Sequence, residues 1–364
     1  MTATPNFIQI QNVLESPNLS GWDDEGGTKG GKLASLRDLA QSLGLSITTV
    51  SRALDGYSDV AEATRERVRA AADLAAYRPN AAARRLRKGT TEVVTLILPT
   101  EPGHFNEPFY IELFAPIGQR LALAGYDLTI IAATPGPGEM KTYWRVVQER
   151  RADALIVVRT RRNDPRVQYL AEEEFPFVAF GRTECTLPYA YVDGDGETGF
   201  RIATERLLAL GHRRITHLAA PSAFTFAGQR SRGYQSAMAA AGLAPVVVEG
   251  VATEGGGYHA AATALAVRPT ALLCATDRMA VGAQRAAREM KLVVPRDLSI
   301  VGHDNLPAGA FTDPPLSTME LPIAETGTRI AEMVLKRLGG TDPRDLSYVR
   351  AIEMIDRHSV APPG

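Results

Sequence analysis

Leu36, Leu39, Ala40 and Leu43 recur at i, i+3, i+4 and i+7 with polar residues between them, the stripe of an amphipathic helix. Ser35, followed three residues later by Asp38, is a capping signal for its start, and Gly44 is a left-handed stop. Ser46 then caps a second helix, Ile47 to Leu54. Its Val50, Ala53 and Leu54 can face the first helix, which leaves Ile47, Thr48, Ser51, Arg52 and Asp55 on the opposite face. A third helix is predicted from about Glu62 to Ala76, where Val68, Ala71, Ala72 and Ala75 close a small core. Tyr77-Arg78-Pro79 ends it, because proline disfavours helix in the residue before it. Asn80 is a good N-cap for a last short piece, Ala81 to Lys88. That piece holds Arg84, Arg85, Arg87 and Lys88, no acid, and one large apolar residue, Leu86. A helix so short is unstable in isolation and orders only against a partner.

After Thr90 the pattern changes to alternating strands and helices. Apolar runs at Val93–Leu98, Leu128–Ala132, Ala154–Val158, Phe177–Phe180, Tyr189–Val192, Ile215–Ala219, Ala271–Ala275 and Leu298–Val301 read as strands. Helical patterns lie between most of them, at Ile111–Ala124, Phe200–Leu210, Gln229–Ala241, Met279–Met290 and Ile323–Leu338. Strands apolar on both faces, alternating with helices, predict parallel sheets. The length suits two such lobes, divided near Asp193–Gly194, with the last helix returning to the first lobe and the chain crossing more than once. Ligands of such folds bind at the carboxyl ends of the strands, here between the lobes. The expected organisation is a flexible tail (1–34), a helix-turn-helix domain (35–79), a short basic helix (80–89) and a two-lobed domain (90–364). The fold class is thus an all-α helix-turn-helix head joined to an α/β two-lobed domain with parallel sheets.

Charge sharpens this division. The net charge of −1 hides a split. Residues 35–89 carry ten Lys/Arg against six Asp/Glu, or +4, residues 1–34 carry −2, and the remainder is −3. A basic head on a mildly acidic body fits a nucleic-acid binder whose body stays off the phosphates. The two cysteines, Cys185 and Cys274, read as small residues of a reduced, cytoplasmic protein. There is no apolar run of 18 residues and no signal-peptide pattern in Met1 to Ser20, so no membrane partner is expected.

The second helix offers its amino-terminal polar residues as a major-groove reader must. Arg52 can bind guanine in bidentate fashion and Thr48 can touch a thymine methyl or a phosphate. Thr49 and Ser51 complete this DNA-facing set. Leu86, on its basic segment with Arg84, suits an apolar wedge in a minor groove. Enzyme chemistry is not expected. Gly194-Asp195-Gly196-Glu197-Thr198-Gly199 spells a dinucleotide fingerprint, but Asp193, Asp195 and Glu197 crowd the place where a pyrophosphate needs positive potential. The next strand runs into Ala220-Pro221 without the ribose-binding acid. None of the six histidines has metal-ligand spacing, and there is no C-x-x-C and no G-x-S-x-G. Gly255-Gly256-Gly257 reads as a loop and His303 as a residue packed at a pocket mouth. No catalytic residue, metal or cofactor is assigned.

The stretches Leu45 to Gly56 (L-S-I-T-T-V-S-R-A-L-D-G), Thr64 to Val68 (T-R-E-R-V) and Tyr77 to Arg87 (Y-R-P-N-A-A-A-R-R-L-R) resemble the LacI/GalR family of bacterial transcription regulators. In the body, Ala203 to Ile215, Arg230 to Tyr234, Cys274 to Ala283 and Val301 to Pro307 resemble it more loosely. The resemblance places Ile47, Thr48 and Arg52 at base-reading positions, Asn80 at the start of a hinge helix and Leu86 as a minor-groove leucine. It also implies a periplasmic-binding-protein-like body in which Arg230 and Asp304 grip an effector. Phe109 is a candidate platform for a sugar ring, and Arg182, ending a strand, a further pocket candidate. Asp277 is carried in the effector set, though it also reads as a cap for the helix starting at Arg278. Two departures stand out: Ala61 where many members have a capping serine, and Glu107 where the family usually has asparagine. The implied function is a homodimeric repressor that binds a pseudo-palindromic DNA operator under control of a small-molecule effector, a carbohydrate. The alternative is a sugar-binding protein without a DNA role, against which the 35–88 segment argues.

Overall fold

The structure, a computed structural model, describes residues 35–75, 77, 89–100 and 107–364. Contacts divide the chain into an amino-terminal and a carboxyl-terminal unit, each described by itself. The amino-terminal unit holds α1 (Leu36–Leu43), α2 (Ile47–Leu54) and α3 (Glu62–Leu74). Its start is a full capping box: the Ser35 hydroxyl accepts from the Asp38 amide and the Asp38 carboxylate accepts from the Ser35 amide. Gly44 ends α1 at φ +65°, and Ser46 caps α2 by accepting from the Thr49 amide at 3.0 Å. Ala61, as its methyl side chain dictates, supplies no side-chain cap to α3. Leu39, Ala40, Val50, Ala53, Val68 and Ala72 are buried together with Val60. Asn80, Arg84 and Leu86 lie outside the described residues.

The carboxyl-terminal unit contains two six-stranded sheets. The first is ordered β11-β5-β4-β3-β1-β2, all parallel, from β1 (Val93–Pro99), β2 (Asp127–Ala133), β3 (Ala154–Val157), β4 (Phe177–Phe180), β5 (Ala190–Gly194) and β11 (Ser347–Arg350). The second is ordered β12-β10-β9-β8-β6-β7, from β6 (Ile215–Ala219), β7 (Val246–Glu249), β8 (Ala271–Cys274), β9 (Ser299–His303), β10 (Ser317–Glu320) and β12 (Glu353–Ile355). Only β12, against β10, is antiparallel. Helices α4 (Pro108–Ala122), α5 (Pro137–Gln148), α6 (Pro165–Glu172) and α11 (Ile323–Leu338) belong to the first lobe. Helices α7 (Gly196–Ala209), α8 (Thr225–Ala240), α9 (Glu254–Ala264) and α10 (Asp277–Glu289) belong to the second. The chain crosses after Gly194, again between β10 and α11, and finally between β11 and β12. The last helix does return to the first lobe, where its Ile330, Ala331 and Val334 join the core of Leu113, Ile117, Ile156 and Val192.

One expectation is corrected. Gly255-Gly256-Gly257 is not a loop but the first turn of α9, capped by the Thr253 hydroxyl on the Gly256 amide. The glycines are there for packing. A Cβ on Gly257 would lie 2.2 Å from the Met279 carbonyl oxygen, and one on Gly282 in α10 would lie 2.0 Å from that of Glu254. The two helix backbones touch, and packing overrides the poor helix propensity of glycine. β7, β10, β11 and β12 were not legible in the sequence, because they are only three or four residues long and three of them are partly exposed.

Candidate functional site

Two surfaces carry chemistry. On the head, Val50 and Ala53 of α2 are fully buried, and the helix therefore turns Ile47 and Thr48 outward. Ile47 is 43% exposed although it is apolar. Thr49 shares a hydrogen bond with the Ser46 hydroxyl at 2.8 Å, and Ser51 makes a long contact to Asp55. Arg52 lies along the same surface, its Nη2 2.5 Å from the Asp59 carboxylate and its guanidinium 4.6 Å from the centre of the Tyr57 ring. Both partners are exposed, so this ion pair is weak and exchangeable.

The second surface is a cleft, partly open to solvent, between the lobes of the carboxyl-terminal unit. The carboxyl ends of β3, β4, β5 and β9 reach it. Arg230 on α8 and Asp304, just past β9, both line it and are both nearly buried. They stand 3.8 Å apart, a loose pair rather than a closed one. Arg230 donates to the Ala275 carbonyl, and its guanidinium lies 4.8 Å from the Phe226 ring and 5.7 Å from that of Phe200. Its Nε has no hydrogen-bond partner among the described residues. Asp304 adopts φ +111°, a conformation rare for any residue but glycine. His303 Nδ1 sits 2.7 Å from the Asp304 carboxylate. Burial pushes the Asp304 carboxyl up to about 7, with Arg230 only partly opposing it. Burial also lowers Arg230, and it holds His303 well below its usual range, with the charge of Arg230 adding to the effect. His303 is therefore neutral, and its Nδ1 shares a hydrogen bond with the Asp304 carboxyl whose direction follows the proton on that pair.

On the first-lobe side Phe109 stacks on Phe180, with ring centres 5.8 Å apart and planes 12° apart. Both rings line the cleft, with Glu107, Arg159 and Asp193. Such a floor of rings beside a carboxylate and a guanidinium can hold a polyhydroxylated ring, its apolar face on carbon and its hydroxyls on charged groups.

Arg182 is not among the lining residues of this cleft. Its Nε donates to Asp193 at 2.7 Å, and Gln229 donates to the same carboxylate oxygen at 3.0 Å. Arg182 instead lines a shallower polar hollow beside the cleft. Asp277 also lies off the cleft, within the second lobe. Its carboxylate accepts from the Thr318 hydroxyl at 2.6 Å and from the Leu306 amide at 2.7 Å. Nor is it the cap of α10: Thr276 fills that place, its hydroxyl accepting from the Met279 amide at 3.2 Å. Burial, and then the charge of Asp304, raise Asp277 to about 7. Sequence reasoning missed Arg159, Phe180, Asp193, Phe226 and Gln229 as cleft residues. Strand-end position signals Arg159, Phe180 and Asp193, whereas Phe226 and Gln229 lie on α8 and carry no such signal.

Residues 35–80 match the family model of bacterial regulatory proteins, lacI family, and residues 204–360 match a periplasmic binding protein-like domain. The HTH-type transcriptional regulator RafR of Escherichia coli is 35% identical over 317 residues, which cover 86% of this chain and 94% of its own. The solved complex of the transcriptional regulator CelR with cellobiose aligns with a TM-score of 0.69 at 29% identity, covering 89% of this chain and 99% of that one. The lac repressor dimer bound to operator and the anti-inducer ONPF aligns at 0.78 with 26% identity, covering 91% and 100%. With a helix-turn-helix ahead of a two-lobed parallel α/β unit, and a relative this similar along nearly its whole length, the chain belongs to the lacI family of bacterial regulatory proteins and is a DNA-binding transcriptional regulator.

Proposed function

We propose that this regulator is a homodimeric repressor whose operator affinity is set by a carbohydrate held between Arg230, Asp304 and the Phe109–Phe180 rings. The observation that carries the effector half is the loose buried pair. A guanidinium and a carboxylate 3.8 Å apart, with Arg230 Nε unpartnered among the described residues, leave hydrogen-bonding capacity that vicinal hydroxyls fill. The sugar bound in the CelR structure supports the ligand class, and the operator-bound lac repressor dimer supports two copies acting on one pseudo-palindrome. Ile47, Thr48, Thr49, Ser51 and Arg52 read the major groove. The sequence resemblance places Asn80 at the start of a hinge helix and Leu86 in the adjoining minor groove, and Arg84 lies on the same basic segment as Leu86. The sugar acts through its unequal affinity for the DNA-competent and DNA-incompetent states, with coupling of about 1–3 kcal/mol per site. A binding protein with no DNA role would not need the uncovered polar face of α2.

A mobility shift on DNA upstream of the chain's own gene tests the reading, with salt varied and sugars added. Wild-type protein binds, Arg52→Ala loses about tenfold or more at that site, and one sugar class changes the affinity. A protein indifferent to that DNA at low salt, with or without sugars, refutes the proposal.

A further inference from the structure

Arg52, the arginine on the DNA-facing surface of the head, is held by two residues that have no role in the reading above, Tyr57 and Asp59. α2 closes in a Schellman motif: Gly56, at φ +77°, donates to the Ala53 carbonyl at 3.3 Å, and Tyr57 donates to the Arg52 carbonyl at 3.0 Å. The second of these bonds sets Tyr57 beside Arg52, whose guanidinium carbon lies 4.6 Å from the ring centre. The chain then turns sharply. The Tyr57 carbonyl accepts from the Val60 amide at 3.3 Å and from Nη1 of Arg65 on α3 at 3.0 Å. Arg65 is itself paired with Glu62, and Val60 is buried in the small core of the head. Asp59, between these anchors, is brought back against α2. Its carboxylate accepts from Nη2 of Arg52 at 2.5 Å and, at 3.4 Å, from Nε.

This grip decides what remains of the guanidinium. An arginine carries its N–H donors in a rigid planar fork. Asp59 takes the edge formed by Nε and one hydrogen of Nη2, and Tyr57 takes one face. Among the described residues Nη1 donates to no protein group, so the outer edge, Nη1 with the second hydrogen of Nη2, stays available. Two parallel donors are what guanine N7 and O6 accept in the major groove. Contacts this exposed add little to stability. What they fix is direction: a side chain of many rotamers is presented edge-on, and a duplex that covers the pair removes the water that weakens it. The carboxylate also repels phosphates unless the arginine stands between them, so it penalises registers in which Arg52 is not engaged.

We propose that Asp59 and Tyr57 are positioning residues for Arg52, which commit its guanidinium to a guanine and so set the sequence selectivity of the head, acting through Arg52 rather than on a base. This rests on the reading of Arg52 as a major-groove contact and adds the residues that make that contact selective.

Selection by the full-length protein from a library of duplexes with a randomised core, followed by titration of the enriched duplex and its single-base variants, tests it. Wild-type protein enriches a site with an obligatory guanine, and Arg52→Ala loses that requirement. Asp59→Ala lowers the preference for that guanine over the other bases about fivefold, while its affinity for a scrambled duplex of equal length rises. Asp59→Asn, which keeps an acceptor for Nη2, and Tyr57→Phe, which keeps the ring, each retain more of the preference than the alanine variants at the same positions. In the Arg52→Ala background Asp59→Ala has no further effect on base preference, as a residue acting through Arg52 requires. An Asp59→Ala protein that keeps the full preference, that loses specific and scrambled affinity alike, or that shows the same loss with and without Arg52, overturns the positioning role. So does an Arg52→Ala protein with wild-type preferences. If wild-type protein enriches no sequence at all, the DNA reading itself falls and the positioning role with it.

Discussion

Asp304→Asn should stabilise the protein while crippling effector binding, and the stabilisation should grow with pH. The wild-type carboxyl sits at about 7 in the folded state, raised by burial from 3.8. Between pH 5 and 7 the folded state therefore keeps this proton and the unfolded chain has lost it. Stability from this group is present at low pH and drains away as pH rises through 7, by about 1.4 kcal/mol per pH unit. Asp277 shares the field, its own carboxyl raised partly by Asp304, so we assign Asp304 about 2 kcal/mol of the loss between pH 5 and 8. Asparagine cannot ionise and still offers an oxygen to His303 Nδ1. Urea or thermal unfolding of both proteins at pH 5, 6, 7 and 8 measures the effect. The two curves lie closest at pH 5. At pH 8 the variant is ahead by about 2 kcal/mol more, equivalent to about 4–8 °C. A pH-independent difference, or a variant that is the weaker of the two at pH 8, would show that Asp304 is not held as a strained carboxylate.

Other outcomes follow from the same contacts. Gly282→Ala drives a methyl against the Glu254 carbonyl and costs about 1–3 kcal/mol. Gly255→Ala, with open space around it, is neutral or gains up to about 1 kcal/mol; equal effects in chemical denaturation would refute the close α9–α10 packing. Ala61→Ser supplies the side-chain cap that α3 lacks and stabilises it by about 1 kcal/mol. Slower hydrogen exchange at the Val68 and Ala72 amides is the readout, and unchanged rates would count against it.

How much of the site was legible depended on how local each cause was. Arg230, Asp304 and Phe109 could be nominated from the resemblance, and each lines the cleft. Asp277 and Arg182 look similar in sequence, a charged residue near a strand end. Asp277 is turned inward by Thr318 and Leu306, forty-one and twenty-nine residues away, and Arg182 is drawn aside by Asp193. No local pattern encodes such partners. Arg159 follows a predicted strand, but the contacts that fix it, through Arg166, Glu139 and a seam on the other lobe, lie outside any local pattern.

The sequence by itself determined the parts whose physics acts within one or two turns. The capping box of Ser35 and Asp38, the left-handed Gly44 and the buried stripe of Val50 and Ala53 fix the helix-turn-helix, and apolar runs alternating with helices fix parallel sheets. Tertiary structure decided the rest: that three glycines open a helix, that the short β11 and β12, neighbours in the chain, join different sheets, and that a carboxylate is held near neutrality. Each of these depends on what lies opposite in space. Close backbone contact, strand pairing and loss of water are properties of the packed molecule, not of any window of the chain.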